Sequence, residues 1–350
     1  MTRKFTRVEL KNPVSGNNMN NSISALITLY NKQNTITKTL GSLLSQPRKF
    51  EEIIVVDDGS IDNSAEIVKG FMKKHKNIKY IFQNNQGVAK SLNVGLKMAN
   101  TDFIAVLDGD VSLDKDWLSK LMPYFENEKI AAVSGLTKIM NPKNIWAALS
   151  GYNVEYRQFK IEGDFVDHLS TTNVIYRKAV LDKIGLFDPE FIYGQDNEVS
   201  YRIIAAGYKL VLSKKTFCLH FWPESFMGFM KQRIHGAWAR VMLIKKHPKR
   251  LAGDQVSSLR YFLELPLGLV FILSLISLLF YSSFFPVVVL VAILIYFFQF
   301  NEICFFFKNK KIFIGIFMPI FIILRTIAWM SGIINFFCDM KIWKKYNKKI

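Results

Sequence analysis

Four short β-rich apolar runs separated by three segments of helical spacing constrain this 350-residue chain more than any other feature. The runs are Ser22–Tyr30, Ile53–Val56, Ile78–Gln83 and Phe103–Leu107. Between them, "TITKTLGSLLSQ" places Ile36, Leu40, Leu43 and Leu44 on one helical face, and "NSAEIVKGFMKKH" and "GVAKSLNVGLKMA" supply two further helices. Strands that alternate with helices of this length predict an α/β fold with a mostly parallel, Rossmann-like sheet covered on both faces. In such sheets ligands bind outside the carboxyl ends of the strands. Asp57, Asp58, Asp108 and Asp110 all fall at those ends.

Asp108-Gly109-Asp110 sets two carboxylates directly after a buried strand. Charges are costly to bury unless paired or bound to a metal. Oxygen ligands in this number suit a hard divalent cation, Mg²⁺ or Mn²⁺, that completes its shell with substrate phosphates. The cation would then offset negative charge on a diphosphate leaving group. A D-x-D triplet alone is equally a solvated acidic turn.

Beyond Ala131 the alternation loosens. Ala131–Leu136 reads as a strand, "NIWAALSGYNVEYRQF" as a helix, and "TTNVIYRKAVLDKIGLFDPEF" as a strand, a helix and a turn. "GQDNEVSYRIIAAGYKLVL" opens as a helix with acids in its first turn, stops at Gly207, and continues as a short strand, Lys209–Leu212.

The formal charge is +18, and half of the residues are hydrophobic. Much of the basic excess flanks apolar stretches: Lys245, Lys246, Lys249, Arg250 and Arg260 before them, Lys308, Lys310 and Lys311 between them, and Lys341, Lys344, Lys345, Lys348 and Lys349 after them. That pattern belongs to a membrane protein with cytoplasmic charge or to anionic lipid contact. A nucleic-acid partner, which would want a basic face on a recognised module, is not expected. Cys218, Cys304 and Cys338 have neither zinc nor disulfide spacing and read as free thiols. The N-terminal segment has no apolar core of a signal peptide, so the globular part is expected in the cytoplasm.

Phe262–Tyr281 and Phe284–Phe300 approach the ~20 residues that cross a bilayer as helix. Ile312–Phe337 is open between a third span and a re-entrant segment broken at Pro319 and Arg325. An intramembrane arginine is a functional candidate, so Arg325 either holds the phosphate of a lipid-linked acceptor or snorkels to the interface. "SFMGFMKQRIHGAWARVMLIKK" interleaves Phe226, Phe229, Trp238 and Met242 with Lys231, Arg233 and Arg240. It is either a helix lying in the membrane interface or an ordinary amphipathic core helix.

Five motifs in order then become recognisable: "ALITLYNKQNTITKTLGSLLSQ", "IIVVDDGSIDNS", "NNQGVAKSLNVGLKMANTDFIAVLDGD", "GLFDPEFIYGQDNEVSYRIIAAGYKL" and "CLHFWPESFMGFMKQ". Over about Ser22 to Trp238 the chain resembles family-2 glycosyltransferases with the GT-A fold. The resemblance implies a nucleotide-sugar donor bound with Mg²⁺ or Mn²⁺, a UDP-sugar being favoured over a GDP-sugar. It implies that Tyr30, Asn31, Asp58, Gly87 and Lys90 contact the nucleoside, and that Asp108 and Asp110 serve ribose and metal-diphosphate. His220 would be a third metal contact, against the alternative of a core histidine. Asp196 would be the general base of an inverting transfer. A sugar hydroxyl needs such a base and a phosphate acceptor does not, so Asp196 favours a hydroxyl acceptor; the alternative is a helix N-terminal acid stabilised by the dipole. Gln195 stands where the family often has glutamate. "KQRIHGAW" offers Gln232 but only part of the Gln-x-x-Arg-Trp of processive members. Gln195, Gln232, Arg233, Trp238 and Arg325 are the candidate acceptor or lipid contacts.

The expected organisation is a polar arm at 1–21, a GT-A domain at 22–222, an interfacial helix and linker at 223–260, a membrane domain at 261–337, and a basic tail at 338–350. The expected function is a membrane-bound glycosyltransferase acting on a lipid-linked saccharide or other glycan. The alternatives are a polyprenyl-phosphate glycosyl synthase, a processive polysaccharide synthase and an inactive scaffold.

Overall fold

The computed structural model describes residues 21–248 and 259–347. The polar arm up to residue 20, most of the linker including Lys249 and Arg250, and Lys348 and Lys349 lie outside the described residues. The chain divides into two compact units. The first runs to Asn141 and resumes over Arg157–Phe221; the second joins Pro142–Tyr156 to the chain from Trp222 onward.

The first unit holds one sheet. Its opening follows the sequence pattern closely: β1 (Ile23–Leu29), α1 (Ile36–Leu44), β2 (Glu52–Asp57), α2 (Ser64–Lys74), β3 (Ile78–Phe82), α3 (Val88–Met98) and β4 (Phe103–Asp108). There follow β5 (Val111–Leu113), α4 (Trp117–Leu121), β6 (Ile130–Ile139), β7 (Phe165–Val166), β8 (Asn173–Arg177), α6 (Lys178–Ile184), α7 (Gln195–Ala205) and β9 (Lys209–His220), while α5 (Ile145–Phe159), between β6 and β7 in the chain, lies mostly in the second unit. The strand order is β3-β2-β1-β4-β8-β6-β9-β5, with β7 paired to β9. The β3-β2-β1-β4 half is parallel throughout. β8 then enters antiparallel between β4 and β6.

Strands covered on both faces read as continuous apolar runs, and the first, second and fourth do so: Ala25, Leu26, Ile27, Ile54, Val55, Ala105 and Val106 are all buried. Ile36, Leu40 and Leu43 of α1 join that core, as the helical spacing requires. Asn173 is the polar exception at the centre. Its Oδ1 accepts from Trp117 Nε1 at 3.1 Å and from Gly135 N at 3.0 Å, and its Nδ2 donates to Thr137 Oγ1 at 3.0 Å. A buried amide is tolerated on those terms.

One strand departs from expectation. The short strand Lys209–Leu212 is the beginning of a 12-residue strand, β9. Its pairing with β6 jumps between Ser213 and Phe217. That irregularity carries the polar "SKKT" stretch, which hid the continuation to His220.

In the second unit, α8 (Phe226–Lys246), α9 (Leu259–Leu278), α10 (Phe285–Lys308) and α11 (Ile312–Asn347) form the helical part. Ser225 caps α8, its hydroxyl accepting from Gly228 N at 3.0 Å. Among the described residues, two helical segments are long and apolar enough to cross a membrane, Ser282–Lys308 and Ile320–Cys338; the apolar stretch Leu265–Leu278 is shorter. Phe297, Leu290 and Ile293 of α10 are exposed, as side chains meeting lipid rather than water would be. α11 is one continuous helix through 312–337, without the break expected at positions 319 and 325. α8 packs along α11, with Phe229 on Phe321 at 5.5 Å and Trp238 on Phe336 at 5.7 Å between ring centroids. That face of α8 is a core face, while Phe226 and Met227 remain exposed at its start. Glu302, deep in α10, is buried and accepts from Asn153 Nδ2 at 2.8 Å.

Candidate active site

The carboxyl ends of β1, β2 and β4 lie side by side because the pairing is parallel and in register: Leu29 opposes Asp57, and Thr28 opposes Asp108. Adjacent registry therefore gathers acids that are distant in sequence. Gly109 is tightly surrounded. A Cβ there would stand 3.2 Å from Leu29 Cδ1, 3.3 Å from Lys32 Cγ and 3.3 Å from Thr28 O.

β5 leaves this corner and pairs antiparallel with the end of β9, Val111 opposite His220. The Phe221 amide also donates to Asp110 O at 3.0 Å. His220 is thereby placed on Asp110, Nε2 to Oδ1 at 3.2 Å. Asp108, Asp110 and His220 offer ligand atoms that all lie within 4.8 Å of one another. Two carboxylates and an imidazole at that spacing fit a hard divalent cation. The expected metal set is thus brought together, with one addition that sequence reading missed: Lys32 Nζ donates to Asp110 Oδ2 at 2.5 Å. Its signal is its place three residues after the end of β1.

The electrostatics follow from this crowding. Burial and the neighbouring charge of Asp110 push Asp108 above the ordinary carboxylate range, against the pull of His220, Lys32 and a Thr172 hydrogen bond. Burial acts the same way on Asp110, but His220 and Lys32 outweigh it and hold Asp110 well below that range. Such a corner keeps one firm anion, Asp110, beside a carboxylate that holds its proton more tightly than an ordinary aspartate.

Of the expected nucleoside residues, Tyr30, Asn31 and Asp58 follow the β1 and β2 ends, while Gly87 and Lys90 lie at the start of α3. Asn31, with a positive φ of 51°, accepts from Ile61 N through Oδ1 at 2.9 Å, and its own amide donates to Ser60 Oγ at 2.9 Å. Asp58 accepts from Gln83 Nε2 at 2.6 Å, Gln86 N at 2.9 Å and Gly87 N at 2.9 Å. It therefore holds the Gln86–Gly87 turn, and Gly87 has the positive φ of 91° that the start of α3 requires. Tyr30 and Lys90 are exposed beside them.

Asp196 opens α7 after Gly194, whose φ of 77° is left-handed. Its Oδ1 accepts from the Asn197 amide at 2.8 Å. Burial raises it above the ordinary carboxylate range, with His168, that backbone bond and a Ser170 hydrogen bond opposing. Gln195 is buried and donates to Thr171 Oγ1 at 3.5 Å. α7 is fixed by Arg202, whose guanidinium meets Glu198 at 2.6–2.9 Å and donates to the carbonyls of Ile184 and Leu186, both at 2.6 Å. The 168–172 turn was not singled out from sequence; its signal is the polar "STTN" run immediately before an apolar strand.

The remaining candidates belong to the second unit. Arg233 donates to Ser150 Oγ at 3.1 Å and lies 5.3 Å from the Phe321 ring centroid; Arg325 lies 5.7 Å from the same ring. Gln232 and Trp238 are half-buried on α8.

Comparison with known proteins agrees with this geometry. Poly-β-1,6-N-acetyl-D-glucosamine synthase of Staphylococcus epidermidis is 31% identical over 228 residues, covering 62% of this chain and 54% of that protein. The Staphylococcus aureus synthase is 29% identical over 226 residues, with the same coverage. The chain thus spans about half the length of the curated relatives it matches. Among solved structures, the mannosyltransferase PcManGT of Pyrobaculum calidifontis, in complex with GDP-Man and Mn²⁺, superimposes with a TM-score of 0.53 at 19% identity, covering 65% of this chain and 64% of that one. That likeness speaks for the GT-A fold alone. The family described as Glycosyl transferase family 2 matches residues 24–185, from β1 through α6. Those residues, which include Asp58 and Asp108-Gly109-Asp110, are thus similar to glycosyl transferase family 2.

Proposed function

We propose that this protein is a membrane-associated, inverting glycosyltransferase that moves a sugar from a nucleotide-sugar to an acceptor hydroxyl. The observation that carries the reading is the pair of chemistries in one compact unit. A three-ligand corner at Asp108, Asp110 and His220 suits a metal-diphosphate, and a carboxylate, Asp196, stands at the start of α7. The likeness to poly-β-1,6-N-acetyl-D-glucosamine synthases favours UDP-N-acetylglucosamine as donor and a glycan hydroxyl as acceptor.

Asp108, Asp110 and His220 would hold Mg²⁺ or Mn²⁺, which supplies positive charge to the diphosphate leaving group. Asn31, Asp58 and Gly87 shape the corner for the nucleoside. Asp196 takes the proton from the incoming hydroxyl as the oxygen attacks the anomeric carbon; such help is worth about 10²–10⁴-fold. Burial suits Asp196 to the task, because it raises the carboxylate's basicity. The apolar helices keep the enzyme at a membrane, with the catalytic unit on the cytoplasmic side where the basic flanks point.

A lipid-linked saccharide acceptor is the second reading. It is favoured by two guanidinium groups, Arg233 and Arg325, on one aromatic ring of a helix that can span a membrane. Arg325 would hold the acceptor's phosphate, and Arg325→Ala would then weaken lipid-acceptor turnover selectively.

The test is nucleotide release by detergent-purified protein with UDP-N-acetylglucosamine and other UDP- and GDP-sugars. It is run with Mn²⁺ or EDTA, with parent or Asp196→Asn protein, and with N-acetylglucosamine oligomers, a lipid-linked saccharide or polyprenyl-phosphate as acceptor. Metal-dependent release that needs Asp196 and a saccharide supports the proposal. Release indifferent to Asp196 but requiring polyprenyl-phosphate overturns it in favour of a polyprenyl-phosphate glycosyl synthase. Product lengths separate one-sugar transfer from polymer synthesis.

A further inference from the structure

The turn between α10 and α11 stands at one end of an apolar groove within the second unit. Ile293, Phe297, Phe300 and Phe307 of α10 line it with Gly315 and Ile316 of α11, around a volume of about 480 Å³. That size falls within the ~300–1,000 Å³ of small-molecule sites. Phe297, Phe300 and Ile316 are exposed, so the groove is open along its side. Gly315 makes room for the Phe307 ring: a Cβ there would stand 2.6 Å from Phe307 Cε1. The turn itself is firmly built. Lys311 N donates to Phe306 O at 2.7 Å and Lys310 N to Phe307 O at 3.0 Å, the two bonds of a Schellman helix end. Its left-handed residue is Lys310, with a φ of 57°, where glycine is usual. Lys308 and Lys310 are exposed, and Lys311 lies 4.8 Å from the Tyr152 ring centroid.

Depth and charge together select an occupant. Ile293 stands near the middle of the apolar segment Ser282–Lys308, and Phe307 stands at its end. From one to the other is about 21 Å of helix. Half of a bilayer's hydrocarbon core is about 15 Å. The groove therefore reaches from mid-membrane to headgroup level on the basic side, the depth of one leaflet. A hydrocarbon chain of that leaflet lies along the groove, and its headgroup comes level with Lys308 and Lys310. The sequence has no acid from Ile303 to Cys338, and Glu302 before them is buried against Asn153. The mouth of the groove is thus cationic and suits a phosphate of net negative charge. A second copy of the chain is disfavoured. Two copies inserted the same way round hold their lysine turns at one depth, so pairing along this face sets like charges together.

We propose that the α10–α11 groove binds an anionic glycerophospholipid, with one acyl chain along Ile293–Phe307 and the phosphate on Lys308 and Lys310. The proposal rests on the reading of these helices as a membrane anchor. It accounts for a lysine at a left-handed position that glycine would fill with less strain, since the lysine brings a second cation to the phosphate. The lipid is held and not transformed. It ties the helix pair to a leaflet that carries negative charge.

The experiment titrates the detergent-purified full chain with fluorescent phosphatidylglycerol, read by anisotropy, with phosphatidylcholine as the neutral comparison. Each lysine near a headgroup is worth about fivefold in affinity for an anionic lipid. Lys310→Gly is expected to weaken phosphatidylglycerol by that factor. Its thermal midpoint is unchanged or raised, because glycine suits the turn, so a purely structural lysine would show no loss. Lys308→Gln/Lys310→Gly reaches about 25-fold, and neither variant alters phosphatidylcholine binding. Ile293 is exposed, and Ile293→Trp fills the deep end of the groove. It weakens long-chain phosphatidylglycerol by about fourfold for each methylene displaced and leaves dihexanoyl-phosphatidylglycerol unchanged. Equal affinity for the two headgroups, or binding indifferent to the lysines, would overturn the proposal. So would a dimer in light scattering that Ile293→Trp dissolves, which assigns the groove to a second copy. Polyprenyl-phosphate displacing phosphatidylglycerol at lower concentration would overturn it in favour of an acceptor site. Flotation with phosphatidylcholine vesicles separates the two readings. A parent chain that does not float removes the membrane reading; one that floats while all variants bind phosphatidylglycerol like the parent removes only the groove.

Discussion

Arg202→Met tests how the helix that presents Asp196 is held in place. Arg202 makes a bidentate pair with Glu198, whose side chain is fully buried, and donates to two carbonyls of the segment that precedes α7. Methionine keeps much of the side-chain volume but removes the positive charge. The buried Glu198 carboxylate is then left without its guanidinium, which costs about 3–5 kcal/mol. Arg202 is 24% exposed, so water can reach the two carbonyls it abandons, and the lower end of that range is expected. For a unit of roughly 200 residues each kcal/mol moves the midpoint by about 2–4 °C, giving a fall of about 6–12 °C for a 3 kcal/mol loss. The assay is thermal unfolding of the detergent-purified chain, with Glu198→Leu/Arg202→Met as the companion. Replacing both partners by apolar groups removes the uncompensated charge and should recover most of the loss. A midpoint within about 2 °C of the parent for Arg202→Met alone, or a double variant worse than the single one, would refute the reasoning.

Other predictions address the site directly. Asp196→Asn should lower kcat by about 10²–10⁴-fold with donor KM little changed, read by nucleotide release. Because burial raises Asp196, the acid limb of the parent kcat–pH profile should stand above the 3.8 of an ordinary aspartate: as pH falls through the raised value the base is protonated and activity is lost, and above it activity is full. Asp110→Asn, or EDTA on the parent, should abolish metal-dependent turnover, and Asp110→Asn should also remove Mn²⁺ binding in calorimetry. Gly109→Ala should cost about 1–3 kcal/mol in thermal unfolding, since its Cβ is crowded by Leu29, Lys32 and Thr28 O.

The sequence by itself determined the parallel half of the sheet. Apolar runs of strand length ending in acids, with helices of 3.6-residue spacing between them, admit few other arrangements, and β1 to β4 formed where that pattern put them. It also determined that Asp58 and Asp108 share one edge, because parallel strands bring equivalent ends together. The apolar helices near the C-terminus were legible from composition alone. What only the tertiary structure decided depends on contacts between residues far apart in the chain. His220 reaches Asp110 through the β5–β9 pairing, across an irregularity that made the strand look short. Lys32 is an unremarkable lysine until the β1–α1 turn folds over Gly109. Thr172 looks like a loop residue until antiparallel β8 inserts beside β4 and brings its carbonyl to the Asp108 amide at 3.4 Å. Local periodicity reports which face of an element is buried. It carries no information on which loop will meet which strand end, because long-range pairing and packing fix that choice.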